Sequence, residues 1–184
     1  MKLVTFLNGL VFSGLLALAF SRWRRHGGEA GRWVVLTFLT LASVSFLALP
    51  LPNHPDVAWH WFWSVTYIKI LLAVLLLYPY CVYRFMAAFK HERRRSDSVA
   101  LLLTAAVVIW GFAVPYFPAA TAHRPWWLLG YVYLIIVQWG SLSILVTARL
   151  WRAGRGQPSV ARRRMRVLSI GSLVFAIAIL PSAG

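Results

Sequence analysis

One ionisable residue stands well inside a long apolar run of this chain: Lys69, in the segment WFWSVTYIKI that begins at Trp61. At about 1.5 Å of helix rise per residue, eight residues past Trp61 place it about 12 Å along the run. A charge near the centre of a bilayer costs about 2.5–3.5 kcal/mol on insertion scales, so such a residue calls for a reason. One reason is chemical: a lysine facing a helix-bundle interior can hold an anionic ligand or exchange a proton. The other is structural: the aliphatic stem carries the ammonium back to the interface, towards Asp56 or a backbone carbonyl. The sequence leaves both open. No Asp or Glu falls within an apolar run, so a buried ion pair is not expected, and a retinal-type pigment would lack its counterion.

The remaining candidates are polar rather than catalytic. His54, His60 and His123 fall in the same class of connecting segment as Asp56, but their spacing matches no familiar metal-ligand pattern. His26 and His91 lie among arginines and read as solvated. Tyr131, Gln138 and Ser141 share one helical face at i, i+7 and i+10, and Gln138 carries the largest amide in the apolar runs. Thr37, Thr40 and Ser43 repeat at three residues, and Gly9, Ser13 and Ala17 at four. Small and weakly polar residues at these spacings usually serve close helix packing. Lys69, Gln138, Tyr131 and His60 form the candidate set for ligand or signal sensing. A lone cysteine, Cys81, excludes an internal disulfide or a CxxC pair. With four acidic residues, and no HExxH, GxSxG, P-loop or paired carboxylates, neither an enzyme nor a metal or cofactor site is expected.

These residues must be positioned by membrane helices. The chain is 60% hydrophobic and 12% charged over 184 residues, with a mean hydropathy of +0.70; a soluble domain is about 25% charged. Six stretches approach the roughly 20 apolar residues needed to span hydrocarbon: Leu3–Phe20, Trp33–Leu51, Trp61–Tyr83, Val99–Phe117, Trp126–Ala148 and Val167 to about Gly184. The expected fold is an all-α, polytopic transmembrane bundle of six spans. Pro79 should kink the third, and Pro115 and Pro118 should disturb the end of the fourth.

Charge sets the orientation. The gaps Ser21–Arg32, Arg84–Ser98 and Arg149–Arg166 hold 16 of the 19 lysines and arginines. The last is the richest, with Arg149, Arg152, Arg155, Arg162, Arg163, Arg164 and Arg166 and no acid. Short basic loops stay in the cytoplasm, which puts the N-terminus outside. The first run is followed, not preceded, by its arginines, so it reads as a retained helix and not as a signal peptide. The net charge of +15 is confined to these gaps, which points to anionic lipid heads and away from nucleic acid. Tryptophans 59, 61, 63, 126 and 127 at one set of ends, and 23, 33 and 151 at the other, fit an interfacial belt.

The aromatic start and YPYCVYRFMAAF end of the third stretch, the RRRMRVLSIGSLVFAIAIL entrance to the sixth, and the helix layout give a resemblance. The chain resembles the N-terminal seven-helix membrane modules of bacterial histidine-kinase-type sensor proteins. The resemblance implies a sensory or anchoring input module that precedes a kinase, diguanylate cyclase or phosphatase domain. A seventh helix and an output domain are missing from the pattern, and the family offers no ligand residues to carry over. The ending LPSAG, directly after an apolar run, gives the same expectation of a longer chain. The expected location is the bacterial cytoplasmic membrane, with a small molecule or lipid as stimulus and a homodimer as one assembly open to it. The rival from another class is a small six-helix transporter or membrane-complex subunit. It lacks the internal repeat and intramembrane carboxylates that transporters use.

Overall fold

The computed structural model describes residues 2–50, 62–88, 95–115 and 125–154, and every regular element among them is an α-helix. In order these are α1 (Lys2–His26), α2 (Glu29–Ala48), α3 (Phe62–Ala88), α4 (Arg95–Ala113) and α5 (Trp126–Gly154). All five are long and apolar enough to cross a membrane. At 19 to 29 residues each, they run about 28–44 Å, against a hydrocarbon core of about 30 Å. Large apolar side chains remain exposed on the outside of the bundle, among them Leu3, Leu18, Leu102, Ile109 and Tyr133. Lipid accepts such a surface without cost.

Several helices run further than the apolar stretches that seeded them. The expected loop Ser21–Arg32 shrinks to a turn at Gly27 and Gly28, whose φ values are +63° and +95°. Arginine and tryptophan are adequate helix formers, so α1 continues until two residues free to take the left-handed conformation end it. For the same reason Arg84 belongs to α3, and Arg149 and Arg152 belong to α5. These three were expected in loops; instead the helices hold them. α3 passes through Pro79 as one helix. α4 stops at Ala113, with the Val114 amide closing a last bond to the Trp110 carbonyl at 3.0 Å before Pro115. His60, Arg155, Arg162, Arg163, Arg164, Arg166 and the sixth stretch lie outside the described residues.

Contacts at both ends show that successive helices are antiparallel. In the α1–α2 hairpin each helix offers a glycine to an aromatic of the other. A Cβ on Gly9 would meet the Phe46 ring at 3.2 Å, and one on Gly31 would meet Trp23 Cδ1 at 2.9 Å. α2 packs next on α3: Trp33 meets Tyr80 edge-on at 5.9 Å between centroids, and the Tyr67 hydroxyl donates to the Leu47 carbonyl. α3, α4 and α5 enclose the core. One apolar cluster joins Leu76, Val107, Val114 and Tyr131. The other joins Tyr83, Ala100, Leu142, Val146 and Leu150 near the end where the arginines gather.

The hydroxyls on α2 serve their own helix. Thr37 donates to the Trp33 carbonyl at 2.8 Å, Thr40 to Thr37 at 2.8 Å and Ser45 to Leu41 at 2.9 Å. They hide their polarity locally and leave packing to the carbon surface.

Candidate functional site

The densest polar constellation sits at the basic end of the bundle, and its centre is an acid. Asp97 lies in the first turn of α4, where a carboxylate is favoured by the helix dipole. It is only 7% exposed. Its Oδ1 accepts from the Tyr83 hydroxyl at 2.7 Å and from Arg149 Nη2 at 3.2 Å. Its Oδ2 accepts from Arg84 Nη1 at 3.4 Å. Arg149 Nη2 also donates to the Tyr83 hydroxyl at 2.8 Å and to Ser96 Oγ at 3.1 Å. The expectation that no ion pair would be buried is therefore overturned. The helical turns beyond the apolar stretches carry Arg84, Asp97 and Arg149 inward, where each charge has a partner.

A second carboxylate completes the set. Arg84 Nη2 donates to Glu29 Oε1 at 3.0 Å, and the Trp33 indole donates to the same oxygen at 3.3 Å. Both guanidinium groups lie over rings: Arg84 at 5.0 Å from the Trp33 centroid, Arg149 at 4.4 Å from Tyr83. Planar, weakly hydrated arginine suits such stacked and forked positions in a way that lysine does not. Two carboxylates and two guanidiniums cancel in charge; the buried Asp97 needs that pairing, whereas the Glu29 side chain is 52% exposed. Arg84 Nε is buried without a hydrogen-bond partner among the described residues. The network thus ties α2, α3, α4 and α5 together at one end. The bonds to Asp97 and the Arg84–Glu29 bond are charge-assisted, the stronger class of hydrogen bond, and each crosses between helices.

A smaller polar group lies midway along the bundle. Gln138, fully buried on α5, donates from Nε2 to the Leu76 carbonyl at 3.0 Å and to Thr104 Oγ1 at 3.2 Å. The Thr104 hydroxyl in turn donates to the Ala100 carbonyl at 2.8 Å. Pro79, three residues beyond Leu76, removes the amide that would have served Leu75 and loosens that turn of α3. Gln138 Oε1 has no partner among the described residues.

The other candidates meet near the far end of α4. Lys69 Nζ donates to the Phe112 carbonyl at 2.9 Å, one of the last carbonyls of α4 without an intrahelical partner. The ammonium therefore meets both a free acceptor and the negative end of a helix dipole. Tyr131 is buried against the preceding residue, Gly111, where a Cβ would lie 2.6 Å from its hydroxyl oxygen. That hydroxyl has no partner among the described residues. Tyr131 and Lys69 thus approach adjacent residues of α4, while Gln138 is two turns away along α5. An open apolar groove of about 420 Å³ lies between α4 and α5, lined by Ala106, Trp110, Ala113, Val114, Pro115 and Trp127 among others. Of the sensing candidates among the described residues, Lys69, Gln138 and Tyr131, none lines it. Among the described residues no group of three His, Cys, Asp or Glu side chains comes together.

Sequence reasoning passed over Asp97, Glu29, Tyr83 and Ser96, and gave Trp33 only an interfacial place. A usable signal was there: two of four acids, Glu29 and Asp97, stand just before the second and fourth apolar runs, in the same gaps as the arginines that follow the first and third. No protein-family model, curated protein or solved structure matches the chain. The likeness to sensor modules rests on the sequence features alone.

Proposed function

We propose that the chain is a membrane-embedded sensory or anchoring input module of a bacterial signal-transduction protein. In this reading it lies in the cytoplasmic membrane with six spans, the N-terminus outside and the basic end of the bundle in the cytoplasm. The kinase, cyclase or phosphatase output would belong to a longer polypeptide. The observation that carries the reading is the Asp97 network. It joins four helices at the end from which α5 continues towards the arginine-rich segment. A sensor needs two packings that differ in affinity for the stimulus. An ionic clamp at the output side supplies a discrete element that a shift of α5 could release.

Two experiments test it. Reporter fusions after Gly27 and after Pro50 should place the first in the cytoplasm and the second outside; the reverse ends the topological part. Mass spectrometry of the native polypeptide, captured through an N-terminal epitope, should find an output domain on the same chain. A native chain of 20.8 kDa that moves solute in vesicles would favour the second reading, a small transporter or membrane-complex subunit. The observation on that side is Pro79 inside α3, which leaves the Leu75 carbonyl without its helical amide, since transporters use loosened helices.

A further inference from the structure

We propose that the tip of the α1–α2 hairpin, through Arg22, Arg24, Arg25 and Arg32, binds the phosphate of an anionic lipid headgroup. The inference rests on α1 and α2 being membrane spans and is independent of any sensory role. Four arginines flank the Gly27–Gly28 turn, and all four are exposed. The carboxylate that the tip itself carries, Glu29, is turned away: it is held by Arg84 of α3 at 3.0 Å and by the Trp33 indole at 3.3 Å. None of the four arginine side chains makes an ion pair or hydrogen bond among the described residues. The tip therefore presents uncompensated positive charge, although an acid stands in its midst.

Geometry puts that charge where lipid heads lie. From Lys2 to Arg22 the helix rises about 30 Å, the thickness of the hydrocarbon core. Trp23, seated on Gly31, fixes the tip at the interface and joins the last turn of α1 to the first of α2. Among the described residues α1 packs on α2 and buries only Gly9, and Leu3, Val4, Leu10, Val11 and Leu18 are exposed. Guanidinium forks match phosphate oxygens in pairs, which gives the site geometry beyond bare attraction. A lipid is favoured over a soluble anion because the tip stands at headgroup level beside a helix whose apolar side chains are exposed among the described residues.

The test is native mass spectrometry of the full chain purified with equal phosphatidylglycerol and phosphatidylcholine. The wild type should retain phosphatidylglycerol preferentially. Each of R24Q, R25Q and R32Q, single changes that leave most of the topology-setting charge in place, should lower the preference by up to about fivefold. The triple variant should lose the preference. R152Q, an exposed arginine at the same end but on α5, should leave it unchanged. A triple variant that keeps the preference overturns the proposal, as does an equal loss in R152Q. Displacement of the lipid by millimolar inorganic phosphate would also overturn it, by showing a site for the free anion.

Discussion

Arg149 Nη2 lies 3.2 Å from Asp97 Oδ1 and 2.8 Å from the Tyr83 hydroxyl, so one guanidinium fastens α5 to both α4 and α3. This places a charge network centred on the buried Asp97 at one end of a bundle whose described core is mostly apolar. Its consequences differ from those of the polar groups further along the helices, and the differences can be measured.

The two buried tyrosines should respond in opposite ways to loss of their hydroxyls. Tyr83→Phe removes a bond to a carboxylate and leaves Arg149 with one acceptor fewer. The expected cost is about 1.5–3 kcal/mol, the range for hydrogen bonds to charged groups. Tyr131→Phe removes a hydroxyl that has no partner among the described residues, and should be neutral or stabilising. Unfolding midpoints of the two variants in the same detergent check the contrast.

Gly111 is sized to Tyr131. Gly111→Ala sets a methyl 2.6 Å from the phenol oxygen and 3.2 Å from Cζ, an overpacking expected to cost about 1–3 kcal/mol. In a Tyr131→Phe background the nearest atom is gone, so the cost should fall. Equal destabilisation in both backgrounds would mean that the α4–α5 contact lies elsewhere.

How far the sequence foretold this depends on what each residue must do. The five helices were legible because hydrocarbon imposes one requirement, a long apolar run, on every span. Gly9 was legible as a packing position from its small-residue spacing, and the structure sets the Phe46 ring against it. Asp97 was not, because apolarity marks where a run ends and not where its helix ends. The chain between Tyr83 and Val99 reads as a charged loop until α3 is seen to reach Ala88 and α4 to begin at Arg95. Lys69 was half legible: its depth announced a need for compensation, and the structure shows the Phe112 carbonyl meeting it.

Gln138 should tolerate loss of polarity better than a change of charge. Gln138→Leu gives up bonds to Leu76 and Thr104 but also removes an unpartnered amide oxygen. Interhelical hydrogen bonds in membranes average about 0.6 kcal/mol, so the change in stability should be near that. Gln138→Glu turns an oxygen towards the Leu76 carbonyl and should sharply reduce the yield of folded protein. Membrane-extracted yield and midpoint together separate these outcomes.

Lys69→Met should cost about 0.3–1 kcal/mol, the worth of a cation at a helix C-terminus. Its effect should be local: faster amide exchange over the last turn of α4 and little change at the Asp97 network. An unaffected α4 end would release Lys69 from the capping role and return it to ligand binding.

The central claim is that Asp97 and Arg149 act as a coupled pair holding α4 to α5. The direct measurement is a double-mutant cycle with Asp97→Asn and Arg149→Gln, read from reversible unfolding in detergent. Each single variant leaves a charge short of its partner, so the two effects should be strongly non-additive, with a coupling of about 1.5–3 kcal/mol. Additive single effects, with a coupling near zero, would contradict the clamp and with it the proposed route from the bundle to its basic end.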